Sequence, residues 1–498
     1  MNAGADHGGW VALEPVFARV DSVAPAIKVR GLAMHSGRVV PKGLFLACAG
    51  ARHGLDFLPQ ALQRGASAVA WEPVGDQPPP ACSDRVRQFA VPGLRGKVGP
   101  IADAYYAHPS QDLSMACITG TNGKTTVAWL AAHAMNSLGR SAAAMGTLGW
   151  GRPEYFWPST MTTPDPDELH RRLRVLADGG IKNVFLEVSS QGLDQQRING
   201  LPVRLAAFTH LGRDHLDYHG HSAAYAEAKQ RLFLEHRPEV SVINVDDPFG
   251  AELARRCRGR VLSVACEGRR SPADLSLVRS LRAPAGLRLE LEEEGRRFEL
   301  ASRLHGGFNS ANLALAFGLL RALGIGGKEA AEALSKCPPP PGRMEHFGGG
   351  ALPDAFVDFA HTPEALSAAL GALKARNPHR LWCVMGCGGE RDEGKRAEMG
   401  RVAGSMADEL FITSDNPRGE DPREIAAQVL AGVSGQAVLE LDRGSAIRKA
   451  LHGAQRGDIV LVAGKGHEAY QVSGGRVLPF SDASAVREAL AAWPGAAR

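Results

Sequence analysis

The stretch Met115-Ala-Cys-Ile-Thr-Gly-Thr-Asn-Gly-Lys-Thr-Thr126, MACITGTNGKTT, joins a short apolar run to a glycine-rich turn, a lysine and two threonines. Residues 115–119 have the unbroken apolar character of a strand covered on both faces. Residues 127–138 read as a helix. Backbone N–H groups exposed at a helix start bind phosphate, the lysine adds a positive charge, and a threonine hydroxyl can hold a divalent cation. The spacing G-x-x-x-x-G-K-[ST] is not met, because Ile118 occupies the first glycine position; Gly120 stands in two residues later, giving a shorter loop. A strand, a phosphate loop and a helix in this order predict an α/β fold.

The same grammar repeats outward. Apolar runs at 115–119, 184–188, 205–209 and 240–245, then at 355–359, 381–385, 409–413 and 458–463, alternate with helical stretches. This predicts mostly parallel sheets covered by helices. Polar, glycine-rich or charged segments follow the runs: TGTNGKTT, EVSSQGL, HLGRDHLDYHG and NVDDP, then AHTPEAL, GCGGERDEGKR, SDNPRGED and AGKGHE. Ligands of open α/β sheets sit outside the carboxyl ends of the strands, so both segments are expected to face one cleft.

At 498 residues the chain is long enough for about three domains. The loop VGDQPPPACSD (74–84), the connection Ala107-His-Pro-Ser110 and the stiff linker Cys337-Pro-Pro-Pro-Pro341 place the divisions at 1–112, 113–343 and 344–498. A net charge of +4 over this length argues against a nucleic-acid binder driven by bulk charge. Eight cysteines without paired spacing read as free thiols in a reducing compartment rather than a zinc site. The start MNAGADHGGW lacks the features of a secretory signal, and no apolar run approaches the roughly 20 residues of a membrane span. The expectation is a cytoplasmic protein.

Gly464-Lys-Gly-His-Glu-Ala469 fits G-x-G-x-x-A, a dinucleotide fingerprint that requires a following helix. The chain continues Tyr470-Gln-Val-Ser-Gly-Gly-Arg476, a strand and a turn, so that reading is rejected. Glu187, closing NVFLE, and His215, in GRDHLDYHG, are the candidate metal ligands beside the phosphate loop. Each alone would ordinarily be a solvated or hydrogen-bonded side chain; their joint place above one sheet favours a metal. Arg418 lies in TSDNPRGEDP, a proline-stiffened turn after a strand, where a guanidinium is suited to a planar anion. The bland alternative is a surface pair with Glu420 or Asp421.

Together these stretches resemble the Mur ligases, ATP-dependent amide-forming enzymes of peptidoglycan synthesis, over nearly the whole chain. The resemblance implies three domains: an N-terminal domain for a uridine diphosphate group, a central P-loop-type ATPase domain and a C-terminal Rossmann-like domain. It implies ATP at Gly120, Thr121, Asn122, Gly123, Lys124, Thr125 and Thr126, with Asn309, Asn312, Arg343 and Asp358 on the nucleotide side. Mg²⁺ would be held by Thr125, Glu187, His215 and a carbamylated Lys229, with Lys124, Lys229 and His215 as the catalytic set. Without the resemblance, Lys229 on a polar helix face would be a solvated charge.

Ser36, Thr162, Thr163, Ser189, Gln195 and Arg197 match contacts to a UDP-N-acetylmuramoyl dipeptide, with Arg38, His53 and Gly54 near the uridine end. GCGGERDEGKR, SDNPR and AGKGHE resemble the branch that adds meso-diaminopimelate, which Arg391, Asp415, Asn416, Arg418, Gly464 and Glu468 would hold. A monomer acting on small molecules is implied. The alternatives are a lysine-adding sister, a folylpolyglutamate synthase-like ligase, or a nucleotide-gated binding protein that makes no amide. Departures from the family pattern are His35 for aspartate, Phe359 for tyrosine, and His210 and Gly212 for asparagine and serine.

Overall fold

The computed structural model describes residues 9–75, 78–266, 272–283 and 285–497. Residues 1–8, most of the start read above as lacking a secretory signal, and residues 76 and 77 of the loop 74–84 lie outside them. Three main sheets form among the described residues, in chain order. The first is four-stranded and parallel: Leu32–Ala33, Leu44–Ala47, Ala68–Trp71 and Arg87–Ala90.

The second sheet has eleven strands. Ser114–Thr119 lies in its parallel middle, between Asn183–Glu187 and Val203–Phe208. Antiparallel hairpins extend both edges, Gly149–Arg152 with Tyr155–Trp157 on one side and Leu275–Ala283, Gly286–Glu293 and Arg296–Ser302 on the other. The sequence reading found the parallel middle and missed these edges. The reason is their composition: half-exposed antiparallel strands such as RRFELAS alternate polar and apolar residues and carry no continuous apolar run.

The third sheet has six strands, with Asp354–Asp358, Ile459–Ala463, Leu381–Met385 and Glu409–Ile412 parallel in that order. Each of these strands is buried on both faces, and separate apolar clusters cover the two sides of the sheet. The central sheet is likewise packed on both faces. Burial on both sides is why these strands announce themselves as apolar runs.

The helix Gly327–Lys336 stops at the proline run, as expected from the loss of backbone donors there. Tyr470–Ser473 and Arg476–Pro479 pair as an antiparallel hairpin, so no helix follows Gly464-x-Gly. The eight cysteines are free, six of them buried. No helix of the described residues is long and apolar enough to cross a membrane.

Candidate functional site

The phosphate loop follows Ser114–Thr119 and opens the helix Lys124–Ser137. Its glycines are required by geometry. Gly120 has φ +142°, and a Cβ there would lie 1.8 Å from Thr209 Oγ1; Gly123 has φ +88°, and its Cβ would lie 2.3 Å from Asn312 Oδ1. Lys124 Nζ donates to the carbonyls of Gly120 (2.9 Å) and Thr121 (2.8 Å), folding the ammonium over the loop. Thr121 Oγ1 accepts from Gly212 N (2.8 Å) and lies 3.1 Å from the Tyr225 hydroxyl; the carbonyl of Asn122 accepts from Thr209 Oγ1 (2.6 Å). Thr126 is buried in the first helical turn.

Glu187 ends the neighbouring strand with its side chain buried, not solvated. Its Oε2 accepts from Thr125 Oγ1 (2.8 Å) and Thr147 Oγ1 (3.2 Å), and its Oε1 from Thr147 N (2.9 Å). Gly146 permits this approach, since a Cβ there would meet Glu187 Oε1 at 2.0 Å. His215 sits in a left-handed backbone conformation, φ +51°, with Nε2 3.5 Å from Asp214 Oδ2.

Lys229 overturns the bland reading of its sequence. It lies on the helix Ser222–Leu234 but is 1 % exposed, with Nζ donating to the Gly120 carbonyl (2.8 Å) and lying 4.4 Å from the Tyr225 ring. Burial holds its pKa well below the ordinary lysine value, and Lys124 pushes in the same direction.

Among the described residues no group of three or more His, Cys, Asp or Glu side chains stands ready to hold a metal. Even so, the donors present fit a hard cation. Glu187 offers a buried carboxylate without a cationic partner at hydrogen-bond distance, and the Thr125 hydroxyl lies beside it at the phosphate loop.

Of the residues expected on the nucleotide side, Asn309 Nδ2 donates to the His305 carbonyl (2.6 Å), and Asn312 Nδ2 donates to Asn309 Oδ1 (2.8 Å). Arg343, just past the proline linker, reaches back so that Nη2 donates to Thr125 Oγ1 (3.2 Å), while its guanidinium lies 4.6 Å from the Phe359 ring. Its buried Nε has no hydrogen-bond partner among the described residues. Asp358 Oδ2 accepts from Met344 N (2.8 Å), and burial raises its pKa to about 6.

Thr162, Thr163, Ser189, Gln195 and Arg197 gather beside Glu187. Thr162 Oγ1 lies 3.1 Å from Thr147 Oγ1; Thr163 Oγ1 donates to the Glu187 carbonyl (3.0 Å); Ser189 caps the helix Ser190–Asp194. Arg197 Nη1 donates to the Thr163 carbonyl (2.7 Å) and Nη2 to Gln195 Oε1 (2.6 Å).

Ser36 is not in this knot, because its Oγ donates to Gln60 Oε1 (2.6 Å) within the first domain. The link is made instead by Asp165, which sequence reasoning passed over. Its Oδ2 accepts from Arg38 Nη2 (2.9 Å) and lies 2.8 Å from His35 Nε2, and its Oδ1 lies 3.6 Å from Arg197 Nε. His53 is engaged locally, between the Glu72 carbonyl and Leu55 N, and Gly54 packs on Ala47.

The C-terminal candidate cluster is built on the turn after Glu409–Ile412. Arg418 has φ +57° and is half-buried. Its Nη1 donates to the Gly389 carbonyl (2.5 Å), whereas Nε and Nη2 make no hydrogen bond among the described residues. The surface alternative fails: Glu420 pairs with Arg396 (2.9 Å), and Asp421 caps the helix Pro422–Leu430. Asn416 Nδ2 donates to Glu468 Oε2 (2.8 Å). Gly464, φ +117°, lies against Asp415, where a Cβ would meet Oδ2 at 2.6 Å. Arg391 is exposed and makes no hydrogen bond or ion pair among the described residues; nothing joins it to this group beyond its nearness to Gly388. His467 Nε2 crosses to the central sheet, 3.0 Å from the Thr147 carbonyl.

Comparison with known proteins matches residues 118–320 to the Mur ligase middle domain and residues 342–466 to the Mur ligase, glutamate ligase domain. The UDP-N-acetylmuramoyl-L-alanyl-D-glutamate–2,6-diaminopimelate ligase of Nitrosomonas europaea is 40% identical, covering 93% of this chain and 93% of its own. The chain belongs to the Mur ligase family. The enzyme of the same name from Chromobacterium violaceum is 42% identical over 94% of this Mur ligase and 95% of its own length. A solved structure bearing that name is 33% identical, with a TM-score of 0.68 over 97% of this chain and 99% of that one.

Two buried cations of this Mur ligase escaped sequence reasoning. Lys465 is fully buried beside Glu468 in the C-terminal cluster, and Arg443 pairs with Asp482, both fully buried (2.7 Å). For Lys465 a signal was available, since it stands inside AGKGHE, a stretch that carries part of the resemblance, but only Gly464 and Glu468 of that stretch were singled out.

Proposed function

We propose that this ATP-dependent ligase joins meso-diaminopimelate to the D-glutamate γ-carboxylate of UDP-N-acetylmuramoyl-L-alanyl-D-glutamate, a step in building peptidoglycan precursor. A carboxylate is a poor acceptor for an amine because its oxygen leaves badly. Attack of that carboxylate on the γ-phosphorus of ATP gives an acyl phosphate and ADP; the diaminopimelate amine then attacks the acyl carbon, and phosphate leaves.

The first difficulty is repulsion between the carboxylate and the triphosphate. Lys124 and the loop N–H groups lower it once Lys124 turns from the loop carbonyls to phosphate. Arg343 adds a second cation from the C-terminal side. Mg²⁺, when bound by Thr125 and Glu187 with His215 and carbamylated Lys229, would screen the charge that spreads during phosphoryl transfer. Burial supports the Lys229 assignment, because CO₂ combines with the neutral amine that this surrounding favours.

The observation that carries the choice of amino acid is the Nε/Nη2 edge of Arg418, which makes no hydrogen bond among the described residues and lies beside Asn416. Diaminopimelate is lysine with a further carboxylate, and such an edge accepts a carboxylate in two parallel hydrogen bonds. With lysine it stays unpaired, which supports discrimination of about 10⁴-fold, roughly 5–6 kcal/mol. Mass spectrometry of the product from ATP, the muramoyl dipeptide and equimolar diaminopimelate and lysine should show the diaminopimelate adduct. A lysine adduct in comparable yield would reassign the enzyme to its sister class, and ATP turnover without any adduct would leave only a nucleotide-gated binder.

The near-balanced charge favours a protein that binds no nucleic acid, the free cysteines favour the reducing cytoplasm, and the family resemblance favours a monomer.

A further inference from the structure

The C-terminal cluster around Asn416 and Glu468 contains a charge that the reaction outlined above does not use. Lys465 lies between Gly464 and Gly466, its side chain 0 % exposed. Its Nζ donates to Glu468 Oε2 (2.9 Å) and Asn416 Oδ1 (3.1 Å) and lies 4.0 Å from Asp415 Oδ1 and 5.7 Å from the Tyr470 ring. A buried ammonium with three polar partners costs desolvation and is retained only where its charge is compensated.

The partners define what the ammonium does. Asn416 Oδ1 accepts from Lys465 and from Val472 N (2.9 Å), so the carboxamide can present only its Nδ2 to Glu468 and to the pocket. Among the described residues both donors to Glu468 reach Oε2, leaving Oε1 for a ligand. Asp415 has no side-chain hydrogen bond to its carboxylate among the described residues, and Gly464 gives it clearance on the Oδ2 side.

We propose that Lys465 is a positioning residue for the incoming amino acid: it fixes the orientation of Asn416 and offsets one of the two carboxylates Asp415 and Glu468. The pocket then presents one uncompensated negative charge, matched to one substrate ammonium, beside the guanidinium edge of Arg418. This rests on the function proposed above only for the identity of the amino acid.

The other charged groups leave that balance intact. Arg443 faces Asp415 but is neutralised by Asp482; His467 is turned to Thr147 and uncharged, burial lowering its pKa to about 4; Tyr470 is a neutral phenol. Burial acts to raise Glu468, yet Lys465 and Asn416 outweigh it and keep this carboxyl below its ordinary value, whereas burial raises Asp415. Without Lys465, whose Nζ lies 4.0 Å from Asp415 Oδ1 and 2.9 Å from Glu468 Oε2, the two acids are expected to share a proton.

The test uses the purified full-length enzyme with Lys465→Met, which removes donor and charge, and Lys465→Gln, which removes the charge but keeps a donor. Michaelis constants for ATP and for whichever amino acid the wild-type enzyme joins are measured from mildly acidic to alkaline pH. Both variants are expected to raise the amino-acid constant about 10- to 100-fold, with the ATP constant within about twofold of wild type. Their amino-acid constant should also fall relative to wild type as pH rises and the shared proton leaves. A purely structural lysine would move both substrates together and add no pH dependence. That outcome, an unchanged amino-acid constant, or failure of both variants to fold would overturn the proposal. A wild-type enzyme that joins lysine would refute the proposed substrate while leaving this test intact.

Discussion

Lys229 shows how much one side chain can depend on its surroundings. A lysine buried at the Gly120 carbonyl, against the Tyr225 ring and beside a second ammonium, is poorly solvated as a cation. Conversion to an anionic carbamate would place a metal-binding carboxylate at the phosphate loop. Lys229→Ala should lower turnover by about 10²-fold or more while leaving the melting temperature nearly unchanged, because a buried charge contributes little net stability. Small carboxylates such as acetate should restore part of the rate; wild-type turnover in the alanine variant would end this reading.

At this scale the sequence was legible where a residue type is rare for its place, as with Gly120, Lys124 and Arg418. It was silent where only burial makes a residue unusual, as with Lys229 and Lys465. Asp165 was hidden for another reason: its partners Arg38 and Arg197 are more than a hundred residues apart in the chain.

Among the elements, the hairpin Tyr470–Ser473 and Arg476–Pro479 explains how the turn at Arg418 is held. Arg418 N donates to the Val472 carbonyl (2.9 Å), Gly474 N donates to the Arg418 carbonyl (2.8 Å), and Gln471 Nε2 donates to the Asp415 carbonyl (2.6 Å). Left-handed backbone at a non-glycine residue costs on the order of 1 kcal/mol, and these bonds offset it. Val472→Pro removes the N–H that Asn416 Oδ1 accepts. It should raise the diaminopimelate Michaelis constant about tenfold and leave that for ATP unchanged, since one such hydrogen bond contributes about 1–1.5 kcal/mol. Equal effects on both substrates would show that the hairpin supports the domain rather than the turn. The sequence revealed this hairpin as a strand and a turn that broke a dinucleotide fingerprint, but its register with residues 415–418 is a long-range contact that no local pattern encodes. The buried parallel strands were readable for the opposite reason, each being a local apolar run.

In the whole molecule, the junction between the central and C-terminal sheets is lined with histidines that burial keeps neutral. His305, His361 and His467 each have a pKa lowered from 6.5 to about 4, burial being the largest cause. In the unfolded chain they would take up protons below 6.5, so the stability they contribute is complete above that pH and is lost as pH falls towards 4. Asp358 acts in the opposite sense, since burial raises its carboxyl from 3.8 to about 6 and so favours the folded state on the acid side. Three groups against one predict a net loss. The urea midpoint should therefore fall between pH 6.5 and 4, less steeply in His467→Gln; a flat midpoint across that range would contradict the assignment.

His467 hangs on the Thr147 carbonyl, and the amide and hydroxyl of that same threonine grip Glu187. Its sequence neighbour Glu468 is expected to face the bound amino acid, so a compound lodged there should pull, through two adjacent residues, on the acid beside the phosphate loop. Reciprocity then requires nucleotide to alter that compound's affinity by the same factor. Inhibitor screens run without nucleotide would thus rank pocket binders against a differently tensioned target, and their order of potency would shift once nucleotide is supplied.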